Sequence, residues 1–156
     1  MLDLGCGCGV PVAKRLAERF AVTGVDISPV QIERATRLVP KARFLCEDMA
    51  AADFEPASFG AIVSFFALIH VPLEEQPGII RRLGEWLRPG GHLMATVGAK
   101  AWTGMQQNWL GAPMHWSHAD RDTYLRWVEE SGFQVRWDRF IPEGSGGHTL
   151  LLATTH

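Results

Sequence analysis

Asp3-Leu4-Gly5-Cys6-Gly7-Cys8-Gly9 is the stretch that decides how this 156-residue chain is read. It stands behind a short apolar strand and ahead of a helix-forming stretch. Glycine has no Cβ, so a turn built on alternate glycines lets a bulky ligand approach the backbone. The helix that follows is expected to offer its N-terminal N–H groups and positive dipole end to polar or anionic ligand groups. Spacing discriminates between ligands. A G-x-G-x-x-G dinucleotide pattern needs its third glycine at position 10, where Val10 stands, so the motif is D-x-G-x-G-x-G.

Outward from this loop, strand and helix patterns alternate. Residues 12–20 have helical spacing behind Pro11, and residues 21–26 read as a second strand. Ser28-Pro29-Val30-Gln31 reads as a helix start, with Ser28 as cap, Pro29 in the first turn and Gln31 completing a capping box. That helix runs to Val39 and is stopped by Pro40. Residues 42–47 form a third strand, and residues 60–65 a fourth, continuously apolar as a buried parallel strand is. A helix is expected over 73–87, its start moved later by Pro77-Gly78. Residues 88–91 are a turn, 92–97 a fifth strand and 119–131 the last helix, closed by Gly132. Segments 133–141 and 148–155, joined by Glu143-Gly144-Ser145-Gly146-Gly147, read as an antiparallel hairpin. Residues 98–117 have no clear periodicity. Their length and tryptophan content mark them as functional or flexible. Alternation closed by a hairpin implies an α/β sandwich, mostly parallel, in one domain over residues 1–156.

The glycine motif together with Val22-Thr23-Gly24-Val25-Asp26-Ile27-Ser28 resembles the class I S-adenosylmethionine (SAM) dependent methyltransferases, in particular the broad group that includes the ubiquinone/menaquinone-biosynthesis enzymes. The resemblance implies a Rossmann-like seven-stranded sheet of order 3-2-1-4-5-7-6 with strand 7 antiparallel. It implies SAM as cofactor and S-adenosylhomocysteine as product. Asp26, ending strand two, would accept hydrogen bonds from the ribose hydroxyls, and Ile27 would pack on the adenine. Phe44-Leu45-Cys46-Glu47-Asp48-Met49 resembles the third-strand motif, with Asp48 and Met49 meeting the adenine. The stretch from Phe59 to His70 resembles the fourth, with the strand end at Phe65 lying under the cofactor. Leu87-Arg88-Pro89-Gly90-Gly91-His92-Leu93 resembles the structural turn before strand five. Asp3 would order the glycine loop, lie near the methionine end of the cofactor, or do both. Gly5, Cys6 and Gly7 would line the approach, and Gly9 would permit helix–strand packing. The family places one or two helices before the first strand. The chain is therefore read as a truncated form rather than a minimal member, with a sheet face left uncovered that favours homo-oligomers.

Charge and cysteine usage bound the function. The net charge is −2, and Arg81, Arg82 and Arg88 are interleaved with Glu74, Glu75 and Glu85, so no basic patch points to nucleic acid. Cys6, Cys8 and Cys46 are an odd set, and Cys6-x-Cys8 lacks the further ligands of a metal site. No signal peptide and no apolar run of spanning length is seen, so a cytoplasmic location is expected.

Methyl transfer is mainly a matter of alignment and water exclusion, and a base is needed only when the acceptor must lose a proton. Neither an Asn-Pro-Pro-Tyr-type motif nor a Pro-Cys pair is present, which leaves a small organic molecule as the expected acceptor. His70, just beyond strand four, and His115 are the candidate catalytic residues. The aromatic and Met residues between Trp102 and His118 either form an apolar lid over a flat acceptor or fill core space. Glu143 and His148 flank a loop expected only to turn the chain. Two other functions fit less of the sequence: a non-catalytic binding module or partner subunit on the same fold, and an NAD(P)-linked oxidoreductase, which Val10 and the terminal hairpin disfavour.

Overall fold

The structure, a computed structural model, describes residues 1–109 and 111–156. In chain order its elements are β1 (Leu2–Leu4), α1 (Val12–Leu16), β2 (Thr23–Asp26), α2 (Pro29–Leu38), β3 (Arg43–Cys46), β4 (Phe59–Ser64), a 3-10 turn at Leu68–His70, α3 (Gln76–Trp86), β5 (Leu87–Gly98), β6 (Trp102–Trp109), β7 (Ala112–His118), α4 (Arg121–Glu130), β8 (Phe133–Glu143) and β9 (Gly146–Thr155). One sheet has the order β3-β2-β1-β4-β5-β9-β8. Neighbours are parallel from β3 to β5, and β9 runs antiparallel between β5 and β8. With the separate β6-β7 ribbon set aside, this is the expected 3-2-1-4-5-7-6 arrangement.

The main core lies between the sheet and α3 with α4. Ile79, Ile80, Leu83 and Trp86 of α3 are buried with Leu2, Leu4, Ile62 and Leu93 of the sheet and Tyr124 and Val128 of α4. Each such side chain contributes roughly 1.5–3 kcal/mol by leaving water. Ala13, Val22, Ala35, Val39 and Val63 are buried outside that cluster, on the side of α1 and α2. This layer rests on small residues. Accordingly α1 stops at Leu16, earlier than the pattern over residues 12–20 suggests: Ala13 is its buried residue, and Phe20 points largely to solvent.

Two further local expectations are modified. Ser28 caps α2 by accepting from the Gln31 N–H at 3.4 Å, but the capping box does not close. The Ser28 N–H that Gln31 would have reached is taken by Asp26 Oδ1 at 2.9 Å. The strand β5 begins before the 88–91 turn and continues through it. The register with β4 jumps from Phe59 opposite Leu87 to Ala61 opposite His92, so the turn is carried as a bulge, with Gly90 at φ +72°.

The larger surprise is residues 98–117, which contain most of an antiparallel ribbon pairing Trp102 with His118 and Trp109 with Ala112. Most of its side chains are exposed, so no one-sided apolar alternation announces it. A buried polar node ties it to the body. Gln76 at the start of α3 donates to the Ser117 carbonyl at 2.5 Å and to the Val71 carbonyl at 2.7 Å, and its Oε1 accepts from the Tyr124 hydroxyl. The Leu73 N–H donates to Ser117 Oγ at 3.1 Å.

Candidate functional site

The loop after β1 is ordered by β2. The N–H groups of Gly5 and Cys6 both donate to the Val25 carbonyl, at 2.8 and 2.9 Å, and the Gly7 N–H donates to Asp26 Oδ2 at 2.8 Å. The Gly9 N–H closes back on the Cys6 carbonyl at 2.9 Å. Gly5, Gly7 and Gly9 all have left-handed φ, between +53° and +79°. The expectation that helix N–H groups face the ligand is corrected here. The following helix α1 has five residues, and four of the loop N–H groups are consumed internally. The loop is therefore shaped as a smooth floor rather than as a nest of donors for a phosphate.

That floor belongs to a cleft of about 640 Å³ at the carboxyl ends of β1 to β4. This is where open α/β sheets bind ligands, beside the point where strand order reverses. Its walls include Gly5, Gly7, Asp26, Ile27, Asp48, Met49 and His70, seven of the residues singled out in the sequence. Gln31, read only as a capping residue, also lines the cleft, and its Oε1 lacks a partner among the described residues. Asp26 accepts one backbone hydrogen bond on each oxygen, which leaves a lone pair on each for a ligand. Asp48 uses Oδ1 to accept from the Ala50 N–H at 2.8 Å. A Cβ on Gly7 would meet no atom within 4 Å, so bare backbone faces open space there. A Cβ on Gly5 would overlap that of Ala67, so this glycine allows the loop to close on the end of β4.

Five of the sequence-derived positions stand outside the walls, four cofactor candidates and His115. The Cys6 sulfur packs towards Gly24, and burial, then the charges of Asp3 and Asp26, push its thiol up to about 12. Gly9 makes room for Phe44, Val39 and Ala35, as helix–sheet packing requires. Phe65 is half-buried and does not line the cleft, whereas the next residue, Phe66, at φ +53°, is exposed and does. Asp3 is buried at 2% exposure, and its Oδ2 has no partner among the described residues. Loss of solvation, then the neighbouring Asp26 charge, raise its carboxyl to about 7. The loop-ordering role expected of Asp3 falls instead to Asp26 and the Val25 carbonyl.

The two candidate histidines are joined, but unequally. His70 Nδ1 lies 2.7 Å from the His115 carbonyl, which fixes the proton on Nδ1 and leaves Nε2 as acceptor. Burial holds His70 below its ordinary proton affinity. The His115 side chain is exposed and lines neither this cleft nor the next.

A second cleft, of about 660 Å³, opens between the β6-β7 ribbon and the β8-β9 hairpin. Trp102, Trp109, Trp116, Phe140, His118 and His148 contribute its aromatic walls. It adjoins the first through two ring contacts: His70 with Trp116 at 4.4 Å and Phe66 with His148 at 5.5 Å. Glu143 and His148, expected only to flank a turn, are brought into contact across β8 and β9, with Nδ1 to Oε2 at 2.6 Å. Their spacing of five residues around a glycine-rich loop was the available signal, since a two-residue turn sets them on facing strands.

Comparison with known proteins places this architecture. The chain is 37% identical over 99 residues to 2-methyl-6-phytyl-1,4-hydroquinone methyltransferase of a Synechocystis strain, a match covering 60% of this chain and 30% of that protein. It is 35% identical over 100 residues to 27-O-demethylrifamycin SV methyltransferase of Amycolatopsis mediterranei, covering 60% and 36%. The matches thus span about a third of these relatives. In structure, a SAM-dependent methyltransferase from Methanosarcina mazei superposes with a TM-score of 0.83 at 19% identity, over 99% of this chain and 91% of that one. Magnesium protoporphyrin IX methyltransferase from Synechocystis, with bound SAM, gives 0.77 at 18% identity, over 99% and 69%. Residues 1–91, which hold the glycine loop and every wall of the first cleft except Met114, match the methyltransferase domain family, and the chain belongs to that family.

Proposed function

We propose that this chain moves the methyl group of SAM to a small organic acceptor, with residues 1–156 acting as one domain. The observation that carries the reading is the Asp26 carboxylate. It is fixed by two backbone N–H groups at the rim of the first cleft and keeps a lone pair on each oxygen for a vicinal diol such as ribose. The surrounding residues fit the rest of the cofactor. Ile27 and Met49 supply apolar contact for the adenine, with Asp48 beside them, and Gly5 and Gly7 supply the bare floor. The buried carboxyl of Asp3, without a partner among the described residues, suits a cationic group arriving near it. When bound, SAM supplies a methyl on a sulfonium centre for in-line displacement. The chain's residues align the acceptor and exclude water, an effect of roughly 7–11 kcal/mol in favourable cases. His70 lies on the wall between the clefts, and His115 holds it through a carbonyl.

The hydroquinone, rifamycin and magnesium protoporphyrin methyltransferases named above carry the names of small molecules, which supports a small acceptor rather than nucleic acid. No helix among the described residues is long and apolar enough to cross a membrane. The reading places the chain in the cytoplasm, where its unpaired Cys6, Cys8 and Cys46 stay reduced. Homo-oligomer formation is part of this reading, and light scattering that returns a monomer at all concentrations removes that part.

Calorimetry with SAM and S-adenosylhomocysteine tests the central reading. Micromolar binding by the chain, lost in Asp26→Ala and partly kept in Asp26→Asn, is the expected result. A folded chain that binds neither compound overturns it in favour of a non-catalytic relative.

A further inference from the structure

We propose that the second cleft holds a planar aromatic acceptor bearing a hydroxyl group, and that His148, backed by Glu143, takes the hydroxyl proton. The proposal rests on the methyl-transfer reading for its final step, but the cleft and its ligand chemistry stand on separate observations.

The walls of this cleft are unusual in being aromatic on both sides. Trp102 and Trp109 lie 5.9 and 5.3 Å from Trp116, and Trp116 lies 6.0 Å from His148 with the two rings 24° from parallel. Trp102 and Trp109 are 46% and 40% exposed, an arrangement that leaves large apolar faces in water unless something flat covers them. A volume near 660 Å³ falls within the range of small-molecule pockets, roughly 300–1,000 Å³.

One polar pair defines where an oxygen would sit. His148 gives Nδ1 to Glu143 at 2.6 Å, and its Nε2 makes no hydrogen bond among the described residues. The carboxylate fixes the proton on Nδ1, leaves Nε2 as acceptor and stabilises the imidazolium that forms. A hydroxyl group held in the cleft can thus donate to His148. His70 is a poorer candidate, since its Nδ1 partner is a neutral carbonyl rather than a carboxylate.

The step balances. The acceptor O–H bond breaks and its proton goes to His148 Nε2. The oxygen electron pair forms the bond to the methyl carbon as the carbon–sulfur bond of the sulfonium breaks, and that pair stays on sulfur. Glu143 is a positioning residue: it acts through His148.

The test uses 1-naphthol, a flat phenol that is neutral at pH 7 and whose absorbance reports its ionisation, and decahydro-1-naphthol, its saturated counterpart, on the whole chain. Tryptophan fluorescence and calorimetry are expected to show the aromatic probe binding at least tenfold more tightly than the saturated one. Trp109→Ala, a surface change, is expected to lose tenfold or more. In His148→Gln and Glu143→Ala the bound probe is expected to ionise several-fold less while its Kd moves less than threefold. Turnover with SAM, where the probe is methylated, is expected to lose 10²–10⁴-fold in kcat in His148→Gln with KM little changed. Equal binding of the two probes, no binding of either, or unchanged ionisation in His148→Gln overturns the proposal. SAM calorimetry on the same variants separates the two readings: a chain that binds the naphthol but never SAM loses the methyl-transfer function, not the aromatic site.

Discussion

The two clefts differ in what builds them. The first is made at strand ends, by a glycine loop and carboxylates held within a few residues of β1, β2 and β3. The second is made by side chains carried on two hairpins and brought together from residues 99 to 148. Backbone-shaped sites leave a local signature, because a tight turn permits few residue types. Side-chain-shaped sites depend on which faces meet, and each contributing stretch reads as ordinary when taken alone. The family match over residues 1–91 follows the same division: it covers the first cleft and ends before the second begins.

Several changes should break or sharpen this contrast. The largest effect is expected where the second cleft is anchored. Gln76→Leu removes the partner of the Tyr124 hydroxyl and of the Val71 and Ser117 carbonyls. Urea unfolding should show a loss of about 4 kcal/mol, as buried polar groups are left unpaired. SAM affinity under native conditions should hold, whereas naphthol binding should fall; a variant as stable as the parent would show that the ribbon is not secured there.

Asp3 tests the first cleft with the opposite sign. Its carboxyl is raised to about 7 in the folded chain, so it favours the protonated form. The fold keeps this contribution below the unfolded value near 4 and loses it as pH rises through 7. Asp3→Asn is therefore expected to stabilise the ligand-free chain by about 3 kcal/mol at pH 8, with the gain shrinking towards zero at pH 4. Denaturant curves at the two pH values check this, and a gain independent of pH would contradict it.

Gly5→Ala should cost about 2 kcal/mol or more, from the left-handed φ and the overlap with Ala67, and should also weaken SAM binding. Thermal unfolding with and without SAM reads both effects, and an unaltered Tm would place the Ala67 contact elsewhere. The smallest effect is expected for Trp109→Ala, less than about 1 kcal/mol of stability, because the ring is 40% exposed. SAM affinity should stay within twofold; a large loss would mean that the clefts are one.

Much of the fold was legible. The mostly parallel α/β class follows from alternation and the closing hairpin, the sheet order from the family resemblance, and the strand-two Asp26 and the glycine loop declare the first cleft. Three features were not. Phe66 rather than Phe65 faces the rim, because a positive φ at Phe66 reverses the pattern at the strand end. Asp3 leaves the loop to Asp26, because β2 lies close enough for its carboxylate to reach the Gly7 N–H. The ribbon β6-β7 escaped because its exposed strands carry no alternation, and it is tied to the body by Gln76, far away in sequence, and by its own Trp116 packed on His70 and His148.

The sequence by itself determined the alternating strands and helices, the glycine floor and the acid at the end of β2, since each depends on local pattern and backbone chemistry. Tertiary structure decided that Glu143 meets His148, that Trp116 has an N–H without a partner among the described residues, and that His70 donates to the His115 carbonyl. Those pairings depend on how two hairpins and a strand end converge, and no single stretch of the chain encodes that distance.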